Sequence, residues 1–248
     1  MILTPEIKRI ELGNLGLDFI VEEPFTRAFS EIEADQFLTT LPLTRFLTML
    51  DPALPAEVTE ACRALYYRDH ITVNLVAEGA DLFPDQWIYV HAPDVKMARL
   101  ANYRNFSPLM AGSADVSPIS VEYFVFRDDP LWSMADADLV RLATDELARM
   151  RLIPSAAVGP GWVVRETDSY PTYYLGFAEP YGVARNAVAS LSNVQPAGRG
   201  GLYKYNNMDH SLYSGLLAAR NLLAGQRRYD VWQINIDAEY HEAASRPA

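Results

Sequence analysis

Residues 198–221 read GRGGLYKYNNMDHSLYSGLLAARN, and the organisation of the 248-residue chain is clearest from there outward. The short strand-like run SNVQPAG comes first, then a glycine-rich turn, then Tyr203, Lys204 and Tyr205 in succession. Asn206 and Asn207 follow. Asn207 stands where a helix N-cap is wanted, and the apolar spacing continues to Gly225, placed where a helix ends in left-handed geometry. Such a junction directs unpaired backbone N–H groups and the positive end of a helix dipole into the crevice that the strand end faces. Small residues at Gly200 and Gly201 would let a planar ligand come close to the main chain. On local chemistry alone the same letters also describe an ordinary glycine turn, capped by Asn207, with tyrosines covering a sheet.

Upstream, IKRIEL, LDFIVEE and ADQFLTTL alternate as strands do, with Gly13-Asn14 and Gly16 between the first two. Pro42 and Pro52 bracket a short helical stretch around Thr44 to Leu50, and Pro55 opens a second helix over AEVTEACRALYY. The runs YRDHITVNLVAE, QWIYVHAP, KMARLANYRN and ISVEYFVFRD are rich in β-branched and aromatic residues, and they predict an antiparallel sheet of four or more strands. Ser133 and Asp136 match a capping box for a helix from Ser133 to Met150, with Leu139, Ala143, Leu147 and Met150 on one stripe. GWVVRETDSYPTYYLGF reads as a strand broken by proline, PYGVARNAVASL as a helix, and the polar tail as frayed after Tyr240. The fold class is therefore α+β, a mostly antiparallel sheet flanked by helices.

Composition excludes several functions. Twenty-one basic against 32 acidic residues give a net charge of −11, contrary to a nucleic-acid footprint. No apolar run reaches the roughly 18 residues of a membrane span, and the first residues lack the order of a signal peptide. A single cysteine, Cys62, points to a reducing, cytoplasmic setting. The four histidines are scattered and predict no metal site, and His70 and His91 are expected as hydrogen-bonded sheet residues. Neither G-x-G-x-x-G opening a βαβ unit, nor a P-loop, nor G-x-S-x-G, nor H-E-x-x-H occurs.

The segment GRGGLYKYNNMDHSLYSGLLAARN resembles the C-terminal flavin-contacting motif of FAD-dependent oxidoreductases of the amine oxidase and protoporphyrinogen oxidase superfamily. It is most similar to the pattern of UDP-galactopyranose mutases. ADQFLTTLPLTRFL resembles the strand returning to the flavin, the stretch from Tyr66 to Pro108 the substrate-domain sheet, and DSYPTYYLGF its last strand. The resemblance implies strands over 1–42 that return to the flavin-facing region, a substrate-binding sheet with helices over 43–180, a strand–turn–helix of the flavin site over 181–240, and a tail over 241–248. It also implies cofactor contacts at Gly198, Arg199, Gly200, Asn207, Met208 and Asp209. Tyr173, Tyr174, Tyr203, Lys204 and Tyr205 would line the substrate side, and Asp209, His210 and Tyr205 would be candidates for acid–base work. A reduced flavin is electron-rich at its pyrimidine edge, where fixed N–H dipoles favour electron acceptance.

The N-terminal glycine fingerprint of that superfamily has no counterpart here, so the fold expected is a truncated one, lacking the Rossmann part on which the nucleotide half of FAD rests. FAD is then expected only with a nucleotide-binding partner subunit. The alternatives are an FAD-free isomerase or cyclase using the same tyrosine-lined pocket, or a non-catalytic module whose exposed interface makes a homodimer.

Overall fold

The computed structural model describes residues 6–12, 17–22 and 29–235. The predicted fraying of the tail after Tyr240 lies outside them. Two compact units are formed, one from Met1–Tyr66 with Tyr170–Ala248, the other from Tyr67–Ser169. In chain order, β1 (Glu6–Leu12), β2 (Leu17–Glu22), β3 (Phe29–Ala34) and β4 (Phe37–Thr39) lead into α1 (Leu43–Thr48), β5 (Leu50–Asp51) and α2 (Ala56–Ala64). The second unit contains β6 (Tyr67–Glu78), β7 (Trp87–Tyr89), β8 (Arg99–Asn102), α3 (Tyr103–Phe106), β9 (Val116–Val125) and α4 (Asp136–Arg149). The chain returns along β10 (Val158–Pro171) to α5 (Ala178–Ser190), β11 (Val194–Pro196), α6 (Gly198–Leu202) and α7 (Met208–Ala224).

The second unit is a five-stranded sheet in the order β10-β6-β9-β8-β7, with β6, β9, β8 and β7 paired antiparallel, as the four β-rich runs predict. Alternation along β6 sends Ile71, Val73, Leu75 and Ala77 to one face, where they meet Val121 and Tyr123 of β9 and the stripe Leu139, Ala143 and Leu147 of α4. Each such large side chain, fully buried, contributes about 1.5–3 kcal/mol. Within this core Glu146 of α4 is buried, and its carboxylate accepts from the Met97 amide at 3.1 Å, the Lys96 amide at 2.5 Å and the Tyr123 hydroxyl at 3.0 Å. Burial, and then the Glu146 charge, push the Tyr123 phenol far up, so it stays a donor. The start of α4 departs from the expected capping box. Ala135 is the N-cap, and the Ser133 hydroxyl donates instead to the Pro130 carbonyl, because the residues before the helix are already folded into turns around Asp129.

In the first unit, β3, β2, β1 and β5 form one sheet, antiparallel except for β1 with β5, while β4 and β11 form a separate two-stranded parallel pair. Both expected proline-linked helices are present, as α1 and α2, and α5 packs against them. The glycines of α6 lie against the chain's own main chain. A Cβ on Gly201 would stand 2.9 Å from the Thr39 carbonyl oxygen, and one on Gly200 3.2 Å from that of Thr40. The same Thr39 oxygen accepts the Ala197 amide at 2.9 Å, so it cannot retreat without losing that bond. Gly201→Ala is therefore expected to destabilise the protein by about 1–3 kcal/mol, the usual cost of overpacking, visible as a lower denaturation midpoint. An unchanged midpoint would show that α6 is free to shift.

Candidate functional site

The site begins where β11 stops. Gly198 takes φ +75°, a left-handed conformation that glycine adopts without strain, and its amide donates to the buried Ser214 hydroxyl of α7 at 2.8 Å. After the short α6, Tyr203 is also left-handed, with φ +48°, an uncommon state for a bulky residue. The chain thus reverses and enters α7. There Asn207 and His210 form a capping box, the Asn207 amide donating to His210 Nδ1 at 3.3 Å. The αL closure at Gly225 is as expected from sequence. The amides of Met208 and Asp209 open the helix and have no partner within it.

Arg199 is held beside this helix start. Its Nε donates to the Asn206 carbonyl at 2.8 Å, and its guanidinium carbon lies 4.3 Å from the Tyr170 ring centroid and 5.8 Å from that of Tyr205. Neither terminal guanidinium nitrogen has a hydrogen-bond partner among the described residues. The Asn206 side chain is fully buried; its Oδ1 accepts from Asn235 Nδ2, whereas its own Nδ2 is without a partner. A cation stacked on two rings, a buried amide donor with no partner among the described residues, and two helix-opening amides thus fall within one short stretch of chain.

Aromatic side chains continue the wall. Tyr173 stacks on Phe177 at 4.6 Å, donates to the Tyr203 carbonyl at 3.3 Å and accepts the Tyr205 amide at 3.0 Å. Tyr205 is half exposed and packs 5.2 Å from Tyr170. Tyr170, Tyr173, Phe177 and Tyr205 thus form one chain of rings, which Arg199 joins through Tyr170 and Tyr205. Tyr203 is buried, its hydroxyl donating to the carbonyls of Tyr66 and Thr172, and burial drives its phenol well above the usual range. Tyr174 turns away to stack on Tyr66, with its hydroxyl on the Ala64 carbonyl. Lys204 donates to the main-chain carbonyls of Trp232 and Ile234. The exposed Asp209 carboxylate lies 3.5 Å from His210 Nδ1, the atom already used by the cap. Sequence reading missed Tyr170 and Asn206. Tyr170 stands in DSYPTYYLGF close to Tyr173 and Tyr174, but nothing in the letters marks it as the one that underlies Arg199.

The second unit carries a polar cluster of its own, on the sheet face opposite α4. Glu122 accepts from Arg99 Nε at 2.6 Å and lies 3.2 Å from His70 Nε2, while Arg99 sits over Trp87, Tyr89 and Phe124. His70 is thus a paired sheet histidine, as expected.

No family model matches the sequence, and no curated protein matches it. The fold does have relatives among solved structures. Reduced UDP-galactopyranose mutase superposes with a TM-score of 0.73 at 16% identity, covering 88% of this chain and 46% of that one. A protein assigned as a protoporphyrinogen oxidase from Exiguobacterium sp. 255-15 gives 0.58 at 14% identity, over 87% and 47%. A putrescine oxidase variant gives 0.61 at 13% identity, over 89% and 48%. The chain therefore has the fold of the C-terminal half of these proteins and spans less than half the length of each. They bear the names of the enzymes that the 198–221 motif resembles.

Burial alone would raise the Glu122 carboxyl, but the His70 hydrogen bond and the Arg99 guanidinium outweigh it and hold the carboxyl below the usual range. A depressed folded-state pKa stabilises above the unfolded value, near 4.3, and that contribution is lost as pH falls through the folded one. Thermal unfolding followed from about pH 6 to about pH 3 should thus show a shallower acid loss in Glu122→Gln than in the parent protein. Equal slopes would remove Glu122 from the acid response.

Proposed function

We propose that the chain is the substrate-binding half of a flavin-dependent oxidoreductase of the amine oxidase and UDP-galactopyranose mutase kind, and that a separate nucleotide-binding partner completes it. The observation that carries this reading is the donor set at the helix start. Arg199, held on Tyr170, bonds the main-chain carbonyl of Asn206, the residue whose side-chain amide is unpaired and which directly precedes the cap and first amides of α7. These residues fit the electron-rich edge of a flavin ring, and nothing in the described residues offers a pyrophosphate site of the glycine-fingerprint kind. FAD, when bound, supplies the ring that accepts electrons from the substrate.

The chain's own part is to orient and to exclude water. The Arg199 guanidinium stabilises negative charge at the ring edge, helped by the α7 dipole and the amides of Met208 and Asp209. Tyr205, half exposed, and Tyr173 form the substrate wall. Their mutual bonding, the Tyr205 amide donating to the Tyr173 hydroxyl, fixes the ring planes before a substrate arrives. Tyr203 and Lys204 support that wall from behind through their main-chain contacts. Acid–base chemistry without FAD is less well supported, since His210 Nδ1 is engaged in capping α7.

The test is flavin retention by the chain mixed with a protein that carries a G-x-G-x-x-G fingerprint and is encoded beside it. The mixture should hold FAD through gel filtration, read from the flavin absorbance bands. Arg199→Ala should weaken FAD binding by about tenfold, the worth of one charge-assisted contact, and cost no more than about 1 kcal/mol of stability. FAD affinity unchanged by that substitution, or no flavin held with any such partner, would overturn the reading.

A further inference from the structure

Beyond Gly225 the chain turns back, and Arg227 ties the turn down by donating to the carbonyls of Ala189, Leu191 and Val194 at the end of α5 and the start of β11. The segment 227–232 then encloses, with Ala189, Gln195 and Pro196, a cavity of about 280 Å³. That is room for a compact ligand and too little for a dinucleotide. None of the residues placed above at the ring edge lines it. The buried Asn221 shapes the enclosure: its Oδ1 accepts the Arg228 and Tyr229 amides, both at 2.9 Å, and its Nδ2 donates to the Tyr229 carbonyl at 2.8 Å and to Gln195 Oε1 at 3.3 Å.

That bonding fixes which way the Gln195 amide is turned. With Oε1 on Asn221, Nε2 is left over: it donates to none of the described residues and is not sealed from solvent, although Gln195 is only 4% exposed and lines the cavity. An interior amide ordinarily has its donors met. Two further unused groups on the wall are also donors. The Gln226 side-chain oxygen takes Arg228 Nε at 2.9 Å and Nη2 at 2.8 Å, which leaves Arg228 Nη1 without a partner among the described residues. The indole N–H of Trp232, on the same wall, likewise has none. The carboxylate of the wall, Asp230, is occupied by its own turn, Oδ1 accepting the Trp232 amide at 2.9 Å and Oδ2 the Gln233 side chain at 3.3 Å.

Three unused N–H groups on one wall select a ligand rich in acceptors, and the surrounding cations select a negative one. Arg227 and Arg228 belong to the wall, Arg185 lies 5.3 Å from the Trp232 ring centroid and Arg220 6.0 Å from that of Tyr229. In a chain of net charge −11, four arginines around one opening reverse the field locally. The rings of Trp232 and Tyr229 add a flat apolar surface beside the donors. We infer that this cavity binds a small planar organic anion, its carboxylate or phosphate group held by the Gln195 amide and Arg228 and its flat body set against Trp232 and Tyr229. The inference stands apart from the function proposed above, since it uses neither Arg199 nor the start of α7.

The experiment is an NMR titration of the full, isotope-labelled chain with benzoate, phenyl phosphate, benzamide and inorganic phosphate, read at the assigned indole N–H of Trp232 and side-chain amide of Gln195. Benzoate or phenyl phosphate should shift both signals saturably, with a Kd of about 1 mM or below. Either should bind about tenfold more tightly than benzamide, which has the ring without the charge, and than inorganic phosphate, which has the charge without the ring. A response to benzoate alone makes the ligand a carboxylate, a response to phenyl phosphate alone makes it a phosphate monoester, and each supports the inference. Arg228→Ala, at a solvent-facing residue, should weaken binding about tenfold, and so should Gln195→Leu. Should the interior substitution lower the unfolding temperature, the Arg228 variant decides alone. No saturable shift, equal binding of benzamide or of inorganic phosphate, or an affinity unchanged in Arg228→Ala would overturn the inference.

Discussion

The carbonyl of Thr39 fixes the geometry of the candidate site. It receives the Ala197 amide at the end of β11 and lies where a side chain on Gly201 would have to be. One oxygen thus aligns β4 with β11 and presses α6 onto the main chain of residues 39–42. With α6 held there, Gly198 reaches Ser214, Tyr203 is forced into left-handed geometry, and Arg199 ends beside the start of α7. The glycines are needed for backbone packing against backbone, which is a different reason from the ligand approach that the sequence suggests for them. Both reasons favour the same letters.

That coincidence shows what was legible beforehand. The α+β class, the antiparallel sheet over the β-rich runs, the Asn207 cap and the Gly225 stop follow from local chemistry and are present, because period, cap and breaker act over a few residues. The capping box that the letters suggest for α4 does not form, since Ser133 has a competing carbonyl at Pro130 that a pattern of letters does not reveal. In the site, Arg199, Tyr173 and Tyr205 lie together. Tyr203 and Tyr174 share their composition but point elsewhere: Tyr203, in left-handed geometry, buries its hydroxyl on the Tyr66 and Thr172 carbonyls, and Tyr174 stacks on Tyr66 with its hydroxyl on the Ala64 carbonyl. Tyr170 and Asn206 were invisible because their importance comes from tertiary neighbours, a stacked cation and an unpaired amide.

The second unit answers a separate requirement. One face of its sheet is closed by α4, and the buried Glu146 ties the segment at Lys96 and Met97 to that helix through charge-assisted bonds. The other face carries Arg99 and Glu122 framed by aromatic rings. A sheet with one dry and one polar face calls for the alternation seen along β6, which makes that run plain in sequence, whereas β9 is buried on both faces from Ile119 to Tyr123.

The buried hydroxyl of Tyr203 bonds the carbonyls of Tyr66 and Thr172, and the Thr172 amide itself bonds the Tyr66 carbonyl at 3.1 Å. Those residues flank the points at which the polypeptide leaves the first unit and re-enters it. The exit and the return are therefore neighbours within the first unit, stapled by one phenol, and the hundred or so residues between them form the second unit. The first unit thus closes the gap between residues 66 and 172 with its own hydrogen bonds, so the two ends of the intervening segment are held in register by groups that belong to neither end of it.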